Sequence, residues 1–318
     1  MTRFGRAAPW FGIVGAPSEV GNVGCGAAGG PAALREGGLA ARLEAAGAVV
    51  RDRGDAVGPA YDGRVEDGVC RSVAATASWS LAVRDACADV LADGGVPLMV
   101  GGDHSLALGS VAAASRHARQ RGVPLYVLWF DAHPDFNTPE TSPSGNTHGL
   151  PAAAACGIGH PAMLDLGGGA RLLDPSRLFQ FGIRSIDEGE AENLRRHRVT
   201  FHTMEAVRRE GLAALVGRAL EEAARHGGHV HVSFDVDGLD PAVAPGVGTP
   251  VPDGLGLEET LEAMDLLGRS GLVGSFDLVE FAPRHDRGGA TLEAALALLG
   301  RFAAASSRAA GLRAAEVA

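Results

Sequence analysis

PLYVLWFDAHPDFNTPETSPSGNTHG, residues 124–149, runs from an apolar segment straight into Asp131, His133 and Asp135 and then into a polar loop ending at His148. A run such as PLYVLWF (124–130), apolar at consecutive positions, reads as a strand buried on both faces, the kind found in parallel sheets covered by helices on each side. On an extended chain, residues at i, i+2 and i+4 point to one side. Asp131, His133 and Asp135 therefore face one place from the carboxyl end of a strand, where open α/β sheets put their ligands.

Similar runs recur along the chain: FGIVGA (11–16), AVVRD (48–52), PLMVGG (97–102), LFQFGI (178–183), VTFHT (199–203), HVHVSF (229–234) and VGSFDLVEF (273–281). Segments of helical composition lie between them, notably 72–94 and 204–227, the second ended by Gly227-Gly228. Alternation of the two kinds predicts an α/β protein with three layers, αβα, around a mainly parallel sheet of eight strands. No composition break or Pro-rich linker divides residues 1–318, so one domain is expected. The long Ala/Leu segment 289–310 is expected to be a helix packed on the sheet.

The Gly-rich stretch GAPSEVGNVGCGAAGG (15–30) follows the first strand. Its glycines come too late for the turn of a dinucleotide fingerprint, and no acid stands convincingly about 20 residues further on. It reads as a loop at the surface or rim. Hydrophobic residues make up 46% and charged residues 21%, as in folded soluble proteins. The net charge of -10, from 28 basic and 38 acidic residues, argues against nucleic acid and anionic membranes as partners. Cys25, Cys70, Cys87 and Cys156 lie far apart and read as buried thiols. The start, MTRFGRAAPW, has no apolar signal core, and a cytoplasmic location is expected.

Four strands deliver acids and imidazoles to what would be one rim. PLMVGG leads into Asp103-His104, HVHVSF into Asp235 and Asp237, and VGSFDLVEF carries Asp277 and Glu280. Packing does not favour so many carboxylates together, because each raises the pKa of the next and burial adds to the cost. A cation must compensate. His104, Asp131, His133, Asp135, Asp235 and Asp237 suit two divalent ions, with Asp131 and Asp235 bridging. Four carboxylates and two imidazoles without a thiolate favour manganese over calcium, magnesium or a structural zinc. Water held between two such ions loses a proton near neutral pH and becomes a hydroxide nucleophile. His229 and His231 share the parity of Asp235 but lie deeper in the strand and read as structural.

GGDHS (101–105), DAHPD (131–135), NTPETSPSGNTHG (137–149) and SFDVDGLDP (233–241) together resemble the arginase/agmatinase ureohydrolase family, from VGAPSEVG near the amino end to DLVEFAP near the carboxyl end. The second and third motifs look most like those of bacterial arginases. The resemblance implies dimanganese hydrolysis of the L-arginine guanidinium group to L-ornithine and urea. In that scheme His104 and Asp135 hold one ion, His133 and Asp237 the other, and Asp131 and Asp235 bridge. His148 is the proton shuttle, Glu280 pairs with the guanidinium, and Thr249 lies close by. Asn137 and Ser144 would read the substrate α-carboxylate, and Asp187 and Glu190 its α-amino group. Ser185 stands where some family members have an acid, a departure that touches affinity more than reaction type. The resemblance also implies a homo-oligomer, trimer or hexamer. The alternative within the family is an agmatinase or a hydrolase of another guanidino compound, such as N-hydroxyarginine, guanidinobutyrate or a biosynthetic amidino substrate.

Overall fold

The computed structural model describes residues 10–62, 64–66, 70–168 and 170–315. Its strands are β1 Trp10–Ala16, β2 Val49–Asp55, β3 Val65–Glu66, β4 Cys70–Arg71, β5 Val96–Gly101, β6 Leu125–Phe130, β7 Leu178–Ile183, β8 Thr200–Thr203, β9 His229–Asp235 and β10 Val273–Val279. Eight of them form one sheet in the order β2, β1, β5, β10, β9, β6, β7, β8. Every neighbouring pair is parallel. All eight runs expected from the sequence are in this sheet. The antiparallel pair β3 and β4 was not foreseen; two residues per strand leave no period to detect.

Alternate residues of β6 enter different cores, which makes the three layers explicit. Leu125, Val127 and Trp129 pack with Val111, Leu150 and Met163 on one face. Tyr126, Leu128 and Phe130 pack with Leu215, Leu220 and Met264 on the other. Each large apolar side chain buried in this way contributes roughly 2 kcal/mol of transfer free energy, and no residue of β6 faces water. The helices Val73–Ala92 and Ala107–Gln120 cover the first face. Leu212–Arg225, Leu257–Ser270 and Ala290–Ala315 cover the second.

The C-terminal helix packs on the sheet as expected. Its Phe302 ring lies 5.8 Å from that of Phe11 on β1 and 5.1 Å from that of Phe276 on β10. The single helix expected over 204–227 is instead two, Met204–Glu210 and Leu212–Arg225. Gly211 between them adopts φ 83° and ψ 134°, which a helix cannot contain. The buried positions already hint at the break, since Val207 to Leu212 is a step of five where a continuous apolar stripe steps by three or four. The four cysteines are buried and unpaired, in line with the sequence. Among the described residues no helix is long and apolar enough to cross a membrane.

Two tight joints bring the strand ends together. At Gly102 the amide donates to Ala16 O (2.8 Å) and the carbonyl accepts from Glu280 N (2.8 Å), while Asp103 N donates to Ser18 O (3.0 Å). After β7, the helix Glu188–His197 begins with a capping box in which Glu190 accepts from Asp187 N at 3.3 Å. The other Glu190 oxygen accepts from Phe136 N at 2.8 Å and so ties this helix to the segment that follows β6.

A Cβ on Gly102 would collide with the Ser18 carbonyl oxygen, a backbone atom that cannot turn away. Gly102→Ala is therefore expected to lower the unfolding free energy by about 2 to 3 kcal/mol in urea titrations. Burial pushes the Glu190 pKa up to about 8 from 4.5, against the pull of its two N–H donors. A carboxyl whose folded pKa is raised contributes stability that is complete below the unfolded value and lost as pH rises through the folded one. In the metal-stripped protein, the wild-type Tm minus that of Glu190→Gln is expected to fall between about pH 5 and about pH 9. A difference that stays flat over this range would show that Glu190 is not held protonated.

Candidate dinuclear metal site

Strands β5, β10, β9 and β6 are adjacent in the sheet, and residues at or after their carboxyl ends form one cluster. β5 is followed by Asp103 and His104, β6 by Asp131, His133 and Asp135, β9 ends at Asp235 ahead of Asp237, and β10 is followed by Glu280. His104 Nδ1 lies 3.0 Å from Asp131 Oδ2, 3.1 Å from Asp135 Oδ2 and 3.0 Å from Asp235 Oδ2. His133 Nδ1 lies 3.2 Å from Asp237 Oδ2 and 3.5 Å from Asp131 Oδ1. Two groups with metal-holding geometry result, His104/Asp131/Asp135 and Asp131/His133/Asp237, and Asp131 belongs to both.

The acids are aimed by their own neighbours. Asp131 accepts from Trp129 Nε1 (2.9 Å) and His133 N (2.6 Å). Asp235 accepts from Asp237 N (2.7 Å), and Asp237 from Ala132 N (3.2 Å) and Thr249 Oγ1 (2.8 Å). Asp135 Oδ2 is buried and has no hydrogen bond of its own, since its neighbour His104 Nδ1, 3.1 Å away, carries at most one proton and faces Asp131 and Asp235 as well. An orphan carboxylate oxygen in the interior is costly unless a cation meets it. That atom, with a donor set of four carboxylates and two imidazoles, fits a pair of hard divalent ions.

Electrostatics point the same way. Burial and the nearby Asp131 charge push Asp135 up to about 6. Burial, with Asp237 and Asp131, raises Asp235 well above the carboxylate range. Burial opposes the His133 cation, yet Asp237 and Asp131 outweigh it and push its pKa up to about 12. The cluster thus draws protons as it would draw any other positive charge.

Beside this cluster His148 Nδ1 lies 3.3 Å from Glu280 Oε1. The same oxygen accepts from His104 N at 2.9 Å. Burial disfavours the His148 cation, but the bond and charge of Glu280, with Asp135 and Asp103, push its pKa up to about 9. Glu280 and Asp135 both have positive φ, 64° and 51°. Such backbone costs a non-glycine residue roughly 1 kcal/mol or more and collects at functional sites.

The polar-loop residues are brought together only in part. Asn137 Nδ2 donates to Asp187 Oδ2 at 2.9 Å, and Thr141 Oγ1 donates to Asn137 Oδ1 at 2.9 Å. Ser144 is exposed, and its hydroxyl accepts from Asn146 N at 3.2 Å. Both Glu190 oxygens are engaged by backbone N–H groups, so it caps a helix and closes the loop against it. Ser185 N donates to Ala132 O, as does Arg184 N.

The Gly-rich stretch lies at the rim and folds inward. Gly21 N donates to Asp103 Oδ2 at 2.8 Å, and its carbonyl accepts from His148 N at 3.3 Å. Cys25 Sγ reaches to 4.0 Å from Glu280 Oε2. One expectation is corrected: Asp277 is not at the rim. It lies within β10, bonded to Ser110, Ser233 and His231, and His231 is structural as expected. Three contributors were not singled out in the sequence. Trp129 stacks on His104 at 4.1 Å between centroids, and Ser233 Oγ lies 2.9 Å from His104 Nε2. Arg184 spends its guanidinium on the carbonyls of Gly182, Asp237, Gly238, Leu239 and Val251, locking β7 to the segment after β9. Parity with Asp131 and Asp235 could have flagged Trp129 and Ser233; nothing local marks Arg184.

The family model described as the arginase family matches residues 10–304. The arginase of Bacillus caldovelox is 38% identical over 290 residues, covering 91% of this chain and 96% of that protein. The arginase of Brevibacillus brevis is 36% identical over 90% of this chain and 95% of that protein. The solved native structure of the Bacillus caldovelox arginase at pH 5.6 superposes with a TM-score of 0.87 at 37% identity, covering 92% of this chain and 98% of that one. With the fold, the spaced motifs and the paired metal-holding triads in agreement, the chain belongs to the arginase family of ureohydrolases.

Proposed function

We propose that this hydrolase uses two Mn2+ ions to convert L-arginine to L-ornithine and urea. His104 and Asp135 would hold one ion, His133 and Asp237 the other, and Asp131 and Asp235 both. The observation that carries this reading is the pair of triads sharing Asp131 with the His148–Glu280 pair beside them. When bound, two such ions bring the pKa of a shared water near neutrality and so supply the nucleophile that a charge-delocalised guanidinium carbon requires.

The chain's own groups do the rest. Glu280, buried and fixed by His104 N, offers a carboxylate to the guanidinium fork. As the carbon–oxygen bond to water forms and the carbon–nitrogen bond breaks, the departing amine needs one proton. His148, beside the cluster with its Nδ1 3.3 Å from Glu280 Oε1, is the group placed to give it. Thr249 steadies Asp237 through its hydroxyl. The Asn137–Asp187 pair would hold the α-carboxylate and α-amino ends of the substrate, with Ser144 at the loop edge and Glu190 supporting from below. The reading extends to one ureohydrolase domain over 1–318, acting in the cytoplasm as a trimer or hexamer.

The test offers manganese-loaded protein L-arginine, N-hydroxyarginine, agmatine and 4-guanidinobutyrate at matched concentrations, and follows the amine product and urea by mass spectrometry. Arginine is expected to lead by about tenfold or more, the scale of one lost polar contact or greater. A decarboxylated or deaminated guanidine in first place would leave the dimetal chemistry standing and overturn the reading of Asn137 and Asp187. Asn137→Ala and Asp187→Ala are expected to raise KM for arginine about tenfold while kcat changes by less than about threefold, the signature of lost uniform binding.

A further inference from the structure

Beneath the rim, β9 carries His229, His231, Ser233 and Asp235 on alternate positions. In β10, Ser275 stands beside His231 and Asp277 beside Ser233. Every residue of β9 is buried, and the helix Ala107–Gln120 reaches this polar row through Ser110. An unsatisfied polar atom here would be costly, yet the row is bonded from end to end. His104 Nε2 lies 2.9 Å from Ser233 Oγ, which donates to Asp277 Oδ1 at 2.6 Å. Asp277 Oδ2 accepts from Ser110 Oγ at 2.5 Å and lies 2.9 Å from His231 Nε2. His231 Nδ1 lies 2.9 Å from Ser275 Oγ, which lies 3.2 Å from His229 Nε2.

The direction of these bonds follows from one end. His104 turns Nδ1 toward three carboxylates, so a ring that offers that lone pair to a cation carries its proton on Nε2. Nε2 then donates to Ser233 Oγ, and the Ser233 hydroxyl donates to Asp277 Oδ1. Asp277 becomes the acceptor on which the row ends. Burial disfavours its charge, but His231 beside it more than compensates and holds its pKa below the usual value.

We propose that Asp277, clamped by His231 and Ser110, is a positioning residue for His104: through Ser233 it fixes the imidazole in its Nδ1-ligating form and sets how tightly His104 retains its ion. This rests on the metal assignment above. Partners one bond beyond a ligand fix its tautomer and raise its basicity, and their loss typically costs tenfold to a hundredfold in metal affinity.

Full-length protein stripped by a chelator is titrated with Mn2+ alone by calorimetry, with bound metal counted by mass spectrometry. The variants are Ser233→Ala, Ser233→Thr, Asp277→Asn and His104→Asn. Ser233→Ala and Asp277→Asn are expected to weaken one of the two ions by about tenfold to a hundredfold and leave the other unchanged. Ser233→Thr, which keeps the hydroxyl, is expected to restore both. Two ions bound with wild-type affinity in Ser233→Ala, or both weakened alike, would overturn the proposal. Ser233→Ala cuts only the link, so it decides the matter even where Asp277→Asn does not fold. Wild type taking up fewer than two ions, or His104→Asn keeping both at full affinity, would instead overturn the metal assignment itself.

Discussion

Four aspartates share one buried place at the end of this sheet, and like charges at that depth repel strongly unless something positive stands among them. Much of the surrounding architecture serves that constraint. Trp129 and the His133 amide hold the two oxygens of Asp131, and the Asp237 amide takes Oδ1 of Asp235 and leaves its Oδ2 toward His104. His104 and His133 lie between the carboxylates. Asp135 and Glu280 accept unfavourable backbone angles to reach their positions. A parallel sheet suits the task, because adjacent strands all end on the same edge and each contributes a short irregular segment there.

Polarity inside the protein is arranged in depth. At the rim the acids meet the two imidazoles. One residue pair below, Ser233 and Asp277 lie side by side in register, and below them His231 and Ser275. Each layer answers the hydrogen-bonding demand of the one above, as buried polar groups must. The alternation HVHVSFD, which in a solvent-facing strand would mark a wet side, here marks an interior one.

Much of this was legible in the residues. Apolar runs announced all eight long strands, since strands buried on both faces have few other ways to be written. The gathering of these acids and imidazoles was legible because chain order and parity fix which side a strand-end residue takes. What was missed depends on contacts distant in the chain. Asp277 lies in the strand that leads into Glu280, and its packing against the helix bearing Ser110 shows that it points below the rim. Gly211 broke a helix whose composition alone looked continuous. Arg184 grips carbonyls more than fifty residues away, and no spacing rule reaches that far. The backbone amides on both Glu190 oxygens tie it to residues 136 and 187, a pairing that no local pattern announces.

The strand order carries a consequence for how the protein is made. β10, the last strand among the described residues, lies between β5 and β9 in the middle of the sheet. Until the ribosome has released it, the first half of the sheet, with His104, has no direct neighbour to join it to the half bearing Asp131, His133 and Asp235. Such non-local closure is slow compared with local helix formation and comes late in folding. His104, Asp131, His133, Asp135, Asp235 and Asp237 all precede β10 in the chain, so their cluster closes only once that strand joins the two halves of the sheet.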